Sequence, residues 1–474
     1  MPALGHGPGP VDCDGVTLPR RSPRSTRPAR SAQSAQSQLP LFWLVWLVAH
    51  AIPVVWIVVG HTSTGDVHYY RSGVSGAVTD AMTEYPEVGT WPAVFVNAVT
   101  DLVGGGQDTF VTVFIGLCVL LSALFTGWLL SEGSLRHGHG AGVRGARGTR
   151  TAAWFWVGFI AFSGPIAVTR LDLFPGVTVA WYAACLIAGS SRVRTAGTAL
   201  LAVATMMKLW PGVLAAGLVG GLRHRSTWLR VGAFVAALAV LCALVVLLAG
   251  PERLTSPLTY QSDRGLQAES VLATPAMVAA AVAGTDAAGT SRWSIGYAAS
   301  KSYEIEGPGV EALTTVSTVL MAAMILFALG WAVTRLIRDD WSRERALAFS
   351  AAMIMLVIVT NKVFSPQYLT WIAPLTAVAL LAYRRRIVSI IAVELLVTAA
   401  LTTVVYPSLY DWIIAVPPSP VPTMVLLLRN AMVLVLTVTC LWWCVTAGRG
   451  SRGRSGRRGQ SASTSATARP VSAT

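Results

Sequence analysis

The sequence predicts an all-α polytopic membrane protein, and three observations carry that expectation. Mean hydropathy is +0.58, and 54% of the 474 residues are hydrophobic while 12% are charged, against roughly 25% charged in soluble domains. Apolar runs of about 20 residues, the length that crosses a hydrocarbon core, recur along the chain. The basic residues fall in short clusters between these runs, which is the pattern of membrane topology. A nucleic-acid reader would line them along one face, so the formal charge of +14 implies no nucleic-acid partner.

Taken in order, residues 1–38 are rich in Pro, Ser, Ala and Arg and have few large apolar side chains, too few to build a core; they read as a disordered basic cytoplasmic tail. Ala49-His50-Ala51 resembles a signal-peptidase site, but the apolar run continues to Val59, so a retained first span is expected. Spans are expected near 39–59, 109–130, 151–168, 173–190, 229–249, 312–334, 346–363, 367–383, 387–406 and 422–446. The stretch 196–221 is different. As one helix it would bury Lys208, at about 2.5–3.5 kcal/mol on insertion scales, and Pro211 would kink it. Two short or re-entrant helices meeting at Lys208-Leu209-Trp210-Pro211 keep the lysine at a surface, and they also keep 27 of the 36 Lys and Arg on the cytoplasmic side. The expectation is about twelve transmembrane or re-entrant helices across 39–446, with both termini cytoplasmic and 447–474 a second basic tail.

This topology sends two long loops, about 60–108 and 250–311, to the outer side together with 15 of the 22 Asp and Glu. Long connections of this kind usually work, so function is sought there. In the first loop Trp91, Val94, Phe95, Ala98, Val99 and Leu102 recur at helical spacing opposite Asn97, Thr100 and Asp101, which predicts an amphipathic helix lying in the membrane interface.

Asp66 follows the first span by a few residues and is flanked by His68, Tyr69 and Tyr70. A carboxylate there acts as a general base if it reaches a hydroxyl proton. Glu84, Arg170 with Asp172, Lys208, Arg264 and Lys362 also fall at outer ends of spans, where ionisable groups are usually paired. Arg170 and Asp172 are expected to bridge each other, Arg264 to face either a phosphate or Asp263 or Glu269, and the intramembrane Glu394 to pair with Arg429-Asn430. Cys440 and Cys444 share a helix face but read as packing. Asp12-Cys13-Asp14 lies in the tail, and His137-Gly138-His139 offers too few ligands for a metal; no metal or cofactor is expected.

The stretches Gly65-Asp66-Val67-His68-Tyr69-Tyr70, Glu84-Tyr85-Pro86, Arg170-Leu171-Asp172-Leu173-Phe174-Pro175, Lys208-Leu209-Trp210-Pro211, Tyr260 to Gln267 with Glu269-Ser270, and Phe364-Ser365-Pro366-Gln367-Tyr368 together resemble glycosyltransferase family 87, actinobacterial membrane enzymes of the GT-C fold class that use polyprenyl-phosphate sugars. The resemblance covers about 41–446. One departure is Glu87-Val88-Gly89 after Pro86, where many members carry a further proline. The resemblance implies an inverting transfer of a sugar, mannose before arabinofuranose, from a polyprenyl phosphate to a glycolipid or polysaccharide acceptor at the outer face of the plasma membrane. It implies Asp66 as base, with Glu84 as the other candidate. His68, Tyr69, Tyr70, Glu84, Tyr260, Gln261, Gln267, Gln367 and Tyr368 would hold sugars, and Arg264, Arg170, Lys208 and Lys362 the donor phosphate. The alternative is a transporter or flippase of lipid-linked sugars. Such proteins repeat their broken helices in two halves, and the break at 208–211 has no evident counterpart.

Overall fold

A computed structural model describes residues 39–60, 62–78, 81–137, 144–262 and 264–448. The tails, the Asp12-Cys13-Asp14 stretch, His139 and Asp263 lie outside the described residues. The chain divides into a unit ending at Leu47, of which the start of the first helix is described, and a unit from Val48 onward that holds the rest of that helix and every later element.

The helices are α1 (Leu39–Gly60), α2 (Gly65–Val74), α3 (Glu87–Leu102), α4 (Gln107–His137), α5 (Arg144–Ser163), α6 (Leu173–Ile187), α7 (Ser191–Met207), α8 (Arg225–Ala249), α9 (Glu252–Ser262) and α10 (Thr274–Ala283). A hairpin of β1 (Ser294–Tyr297) and β2 (Tyr303–Glu306) precedes α11 (Val310–Arg338), α12 (Arg343–Thr360), α13 (Leu369–Ala382), α14 (Arg386–Thr403), α15 (Tyr410–Ile413) and α16 (Pro420–Thr446). Seven of these segments are long and apolar enough to cross a membrane: α1, α4, α5, α8, α11, α14 and α16. The architecture is that of a helical multi-pass membrane protein. Length and apolarity alone do not reach twelve crossings, because α6 and α13 are short and α12 opens on Arg343-Glu344-Arg345.

α12 and α13 are buried along nearly their whole lengths and form the centre of the bundle. α8 is the opposite case: it is strongly apolar, yet Val235, Val240, Leu247 and Leu248 point outward. A helix apolar on its outer face belongs against lipid. Side-chain caps start α7 and α12, where the Ser190 and Ser342 hydroxyls accept from the backbone N–H groups of Val193 and Arg345, satisfying donors a helix start leaves free.

The expected break in 196–221 is present. α7 stops at Met207, Lys208 is extended, and a 3-10 segment runs from Trp210 to Leu218. Pro211 cannot continue the preceding helix but fits the first turn of the next. α3 forms where the apolar period predicted it, and Trp91, Val94, Phe95, Ala98 and Leu102 are exposed; the face packed on the protein is Val88, Gly89, Ala93, Val96 and Thr100. Gly89 makes that contact possible, since a Cβ there would sit 2.2 Å from the Met207 carbonyl oxygen.

The all-α expectation holds apart from one short hairpin, in which β1 and β2 pair antiparallel with Ile295 opposite Ile305 and Tyr297 opposite Tyr303. The long loops carry secondary structure, as the helix expected in the first one required. The first contains α2 and α3; the second contains α9, α10 and the hairpin, and its Leu266, Met277, Trp293 and Ile305 pack in a small core with Val405, Ile413 and Leu426 from later in the chain. Short strands of four residues beside Gly and Ser leave little trace against a helical background.

The helix ends sort into two groups. Arg343 donates to the Ile187 carbonyl, Arg345 to the Ala447 carbonyl, and Arg385 pairs with Glu344, so the basic connections meet at one end of the bundle. The acidic and aromatic connections meet at the other. Helix packing between α6 and α13 depends on Gly176, where a Cβ would lie 2.1 Å from the Thr370 carbonyl oxygen. Gly176→Ala is expected to lower stability by about 1–3 kcal/mol through overpacking, read as a lower midpoint in detergent thermal denaturation; an unchanged midpoint would show that the contact relaxes freely.

Candidate active site

A cavity of about 350 Å³ opens where α2, the segment 84–85, Arg170, Lys208, the second loop, the turn 365–368 and Tyr406 with Tyr410 converge. It is lined by Asp66, Tyr69, Tyr70, Glu84, Arg170, Lys208, Tyr260, Gln261, Arg264, Gln267, Gln367 and Tyr368, which is the sequence-derived set without His68 and Lys362. Nine of the chain's eleven tyrosines line it, so the cavity is rich in ring faces and phenol hydroxyls.

The expected Arg170–Asp172 bridge is not made. Arg170 turns to α2, its Nε 2.8 Å from Asp66 Oδ2, and its Nη1 donates to the carbonyls of Ser63 and Thr169 at 3.0 and 3.1 Å. Asp172 turns the other way and accepts from Lys208 Nζ and from the Trp371 indole N–H, both at 2.6 Å on Oδ1. The turn at 171–172 lets neighbouring side chains diverge, and each finds a partner from a distant segment. Arg170 is thereby occupied by Asp66 and by backbone oxygens, a poorer arrangement for gripping a phosphate than the resemblance implies. Lys208 is paired too, and its ammonium lies 5.2–5.4 Å from the ring centres of Tyr85, Tyr368 and Trp371, within cation–π range.

Asp66 sits in the first turn of α2, with its side chain 43% exposed toward the cavity. Tyr69 and Tyr70 follow at helical spacing and share its face. His68 is on the other side of α2 and exposed, which is why it does not join them. Tyr69 donates to Glu84 Oε2 at 3.0 Å and accepts from the Met82 N–H at 2.8 Å. Burial, then the neighbouring Glu84 charge, pushes the Tyr69 phenol up, so it stays a donor. Burial likewise raises Glu84 above the usual carboxylate range, partly offset by a backbone hydrogen bond, by the Tyr69 hydroxyl and, less, by Lys208 and Arg264; no basic side chain lies within ion-pairing distance of it among the described residues.

Arg264 donates to the Ser300 carbonyl at 3.1 Å and lies over the Tyr260 ring at 5.2 Å. Among the described residues it has no carboxylate partner: Glu269, one of its expected partners, is taken by Arg429, and Asp263 is not described. Lys301, on the hairpin turn, is a cavity cation the sequence reading missed. Lys362 stands behind the wall, its Nζ 3.3 Å from the Arg264 carbonyl oxygen. Gln267 braces the wall: its Oε1 accepts from the Phe364 N–H at 2.8 Å.

The expected Glu394–Arg429 pair is absent as well. Glu394 accepts from Thr439, while Arg429 approaches Glu269 at 3.8 Å and Asn430 donates to Thr274. Glu269 is reached because it sits at the floor of the cavity, 1% exposed. No group of three or more His, Cys, Asp or Glu that could hold a metal ion occurs among the described residues. The distribution of tyrosine was the one sequence signal that would have added Tyr85, Tyr297, Tyr303, Tyr406 and Tyr410 to the site.

No protein-family model, curated protein or solved structure matches this chain, so its functional reading rests on the cavity and on the residue pattern.

Burial raises the Glu269 carboxyl to about 7, against the opposing pull of Arg429 and Arg170. Between the ordinary carboxylate range and that value the folded protein keeps a proton that the unfolded chain has released, so stability falls as pH rises through the window. Wild type is expected to lose more thermal stability between about pH 5 and about pH 7.5 than Glu269→Gln, in which this group no longer titrates. Equal losses in the two proteins would contradict this.

Proposed function

We propose that the chain is an inverting glycosyltransferase that moves a sugar, mannose by preference, from a polyprenyl-phosphate donor to a glycolipid or polysaccharide acceptor at the extracytoplasmic face of the plasma membrane. The observation that carries this reading is the single cavity in which Asp66, Glu84, Arg264 and nine tyrosines meet at the acidic end of a membrane-type helix bundle. The residue pattern resembling glycosyltransferase family 87 supports it, as does the basic character of the opposite end, which on the positive-inside rule faces the cytoplasm with both termini. In this reading the remaining buried segments bring the crossings to about twelve and the fold to the GT-C class.

Asp66 acts as general base. Its carboxylate takes the proton of an acceptor hydroxyl while that oxygen attacks the donor anomeric carbon. The anomeric carbon–oxygen bond to the phosphate breaks, its electron pair leaves with the polyprenyl phosphate, and configuration at the carbon inverts. A phosphate leaves readily, so a cation near its growing charge is sufficient. Arg264 supplies that cation, because among the described residues its guanidinium is not committed to a carboxylate, and it has the fork that fits phosphate oxygens. Arg170 holds Asp66 in place. Glu84, with Tyr69, holds sugar hydroxyls, and the tyrosine faces give a sugar ring apolar surface to lie on. No metal or cofactor enters the scheme.

The test is turnover of a synthetic polyprenyl-phosphate mannose by the purified protein with candidate acceptors. Asp66→Asn is expected to reduce the rate by about 100- to 10,000-fold, the range of a general base, with donor binding changed by less than about threefold. Equal turnover in both proteins would move the base to Glu84; no turnover, with lipid movement between leaflets, would favour the transporter.

A further inference from the structure

The second loop closes the cavity with a knot of hydrogen bonds that the proposed chemistry does not itself require. Glu304, on β2, is at its centre. One carboxylate oxygen accepts from the Ser300 hydroxyl at 2.5 Å and from the Ser302 hydroxyl at 3.3 Å; the other accepts from the Gly265 N–H at 3.1 Å. Gly265 follows Arg264. Ser300 and Ser302 flank Lys301, whose backbone is left-handed at φ 57°. The Ser300 carbonyl in turn accepts from both Arg264 and the Tyr260 hydroxyl. Antiparallel pairing of Gln267 with Glu304, and the bonds from Ala268 N–H to the Tyr303 carbonyl and from Ile305 N–H to the Leu266 carbonyl, fix the register of the two segments. Gly265 is fitted to the carboxylate, since a Cβ there would lie 2.2 Å from Glu304 Oε2.

We propose that Glu304 is a positioning residue: it clamps the Arg264 segment to the hairpin turn, so that Arg264 and Lys301 form one two-cation site for the phosphate of a lipid-phosphate ligand. The inference rests on the reading of this cavity as a lipid-phosphate site. Arg264 and Lys301 both line the cavity and neither has a carboxylate partner among the described residues. Two cations left uncompensated repel each other and spread unless something holds their backbones. Glu304 does so through three donors, none of them on either cationic side chain, so the charges stay available.

The sign of the effect separates this role from simple electrostatics. Glu304 carries negative charge beside an anion site, so removing it should strengthen phosphate binding if charge alone matters. If Glu304 positions the cations, removing it weakens binding. The probe is farnesyl phosphate, titrated calorimetrically into the detergent-solubilised full chain. Glu304→Ala is expected to weaken binding by about tenfold, while Glu304→Gln, which can still bond to both sides, stays within about threefold of wild type. In an Arg264→Ala background Glu304→Ala is expected to add nothing, the coupling of residues that act as a unit.

Amide exchange supplies a readout independent of binding: the Gly265 N–H is expected to exchange faster in Glu304→Ala. Gly265→Ala displaces the same carboxylate without altering it and is expected to reproduce the loss if Glu304→Ala does not fold. Tighter binding by Glu304→Ala, losses that simply add in the double variant, or unchanged Gly265 exchange would each overturn the clamp. If Arg264→Ala binds farnesyl phosphate as wild type does, the phosphate reading of the cavity falls first, and the clamp with it.

Discussion

Charge that leaves water must be paired, and in this fold that constraint ties the cavity together. The turn between α5 and α6 contributes Arg170 and Asp172, only two positions apart, and each is nearly or wholly buried. Their partners, Asp66 and Lys208, come from the segment after the first span and from the break after α7. One short turn thus fastens two distant pieces of chain, and Trp371 adds α13 by donating to the same Asp172 oxygen. Removing Asp66 or Lys208 leaves the buried Arg170 or Asp172 without its opposite charge, a loss that typically costs about 3–5 kcal/mol. The positions of α2, Lys208 and the aromatic rings around it follow from meeting that requirement.

In the proposed reaction the two acidic groups that the first loop brings to the cavity, Asp66 and Glu84, have different surroundings and therefore different work. Asp66 lies against a guanidinium and is partly open to the cavity. Glu84 is more deeply placed, receives a phenol hydroxyl, and is raised by burial. The first is placed to take a proton, the second to hold a hydroxyl. Tyr69 connects them, since it sits one helical turn from Asp66 and touches Glu84.

Much of the helical layout was legible in the sequence because it depends on local quantities: the length of apolar runs, the proline after Lys208, and the apolar period of α3. Most of the cavity was legible too, since Asp66, Glu84, Arg264 and their neighbours are polar groups at the ends of apolar runs. His68 was misplaced by adjacency, although helical spacing puts 66, 69 and 70 on one face and 68 off it. The pairings were not legible. Arg170 with Asp66, Arg429 with Glu269, and Glu304 with Gly265 join residues far apart in sequence, and charge alone does not choose among several opposite partners. The hairpin escaped for a related reason: its strands are held as much by the 266–268 segment as by their own composition.

Charges in this fold differ in how they meet solvent. Arg192, Arg223, Arg225, Arg338 and Arg386 stand exposed at the basic end, where dissolved ions at physiological ionic strength damp a charge's reach to about 8 Å. The Lys208–Asp172 pair, with Asp172 fully buried, is screened much less. Rising salt concentration therefore quiets the exposed arginines and leaves that pair comparatively untouched, so ionic-strength-sensitive and insensitive charges coexist within a single bundle.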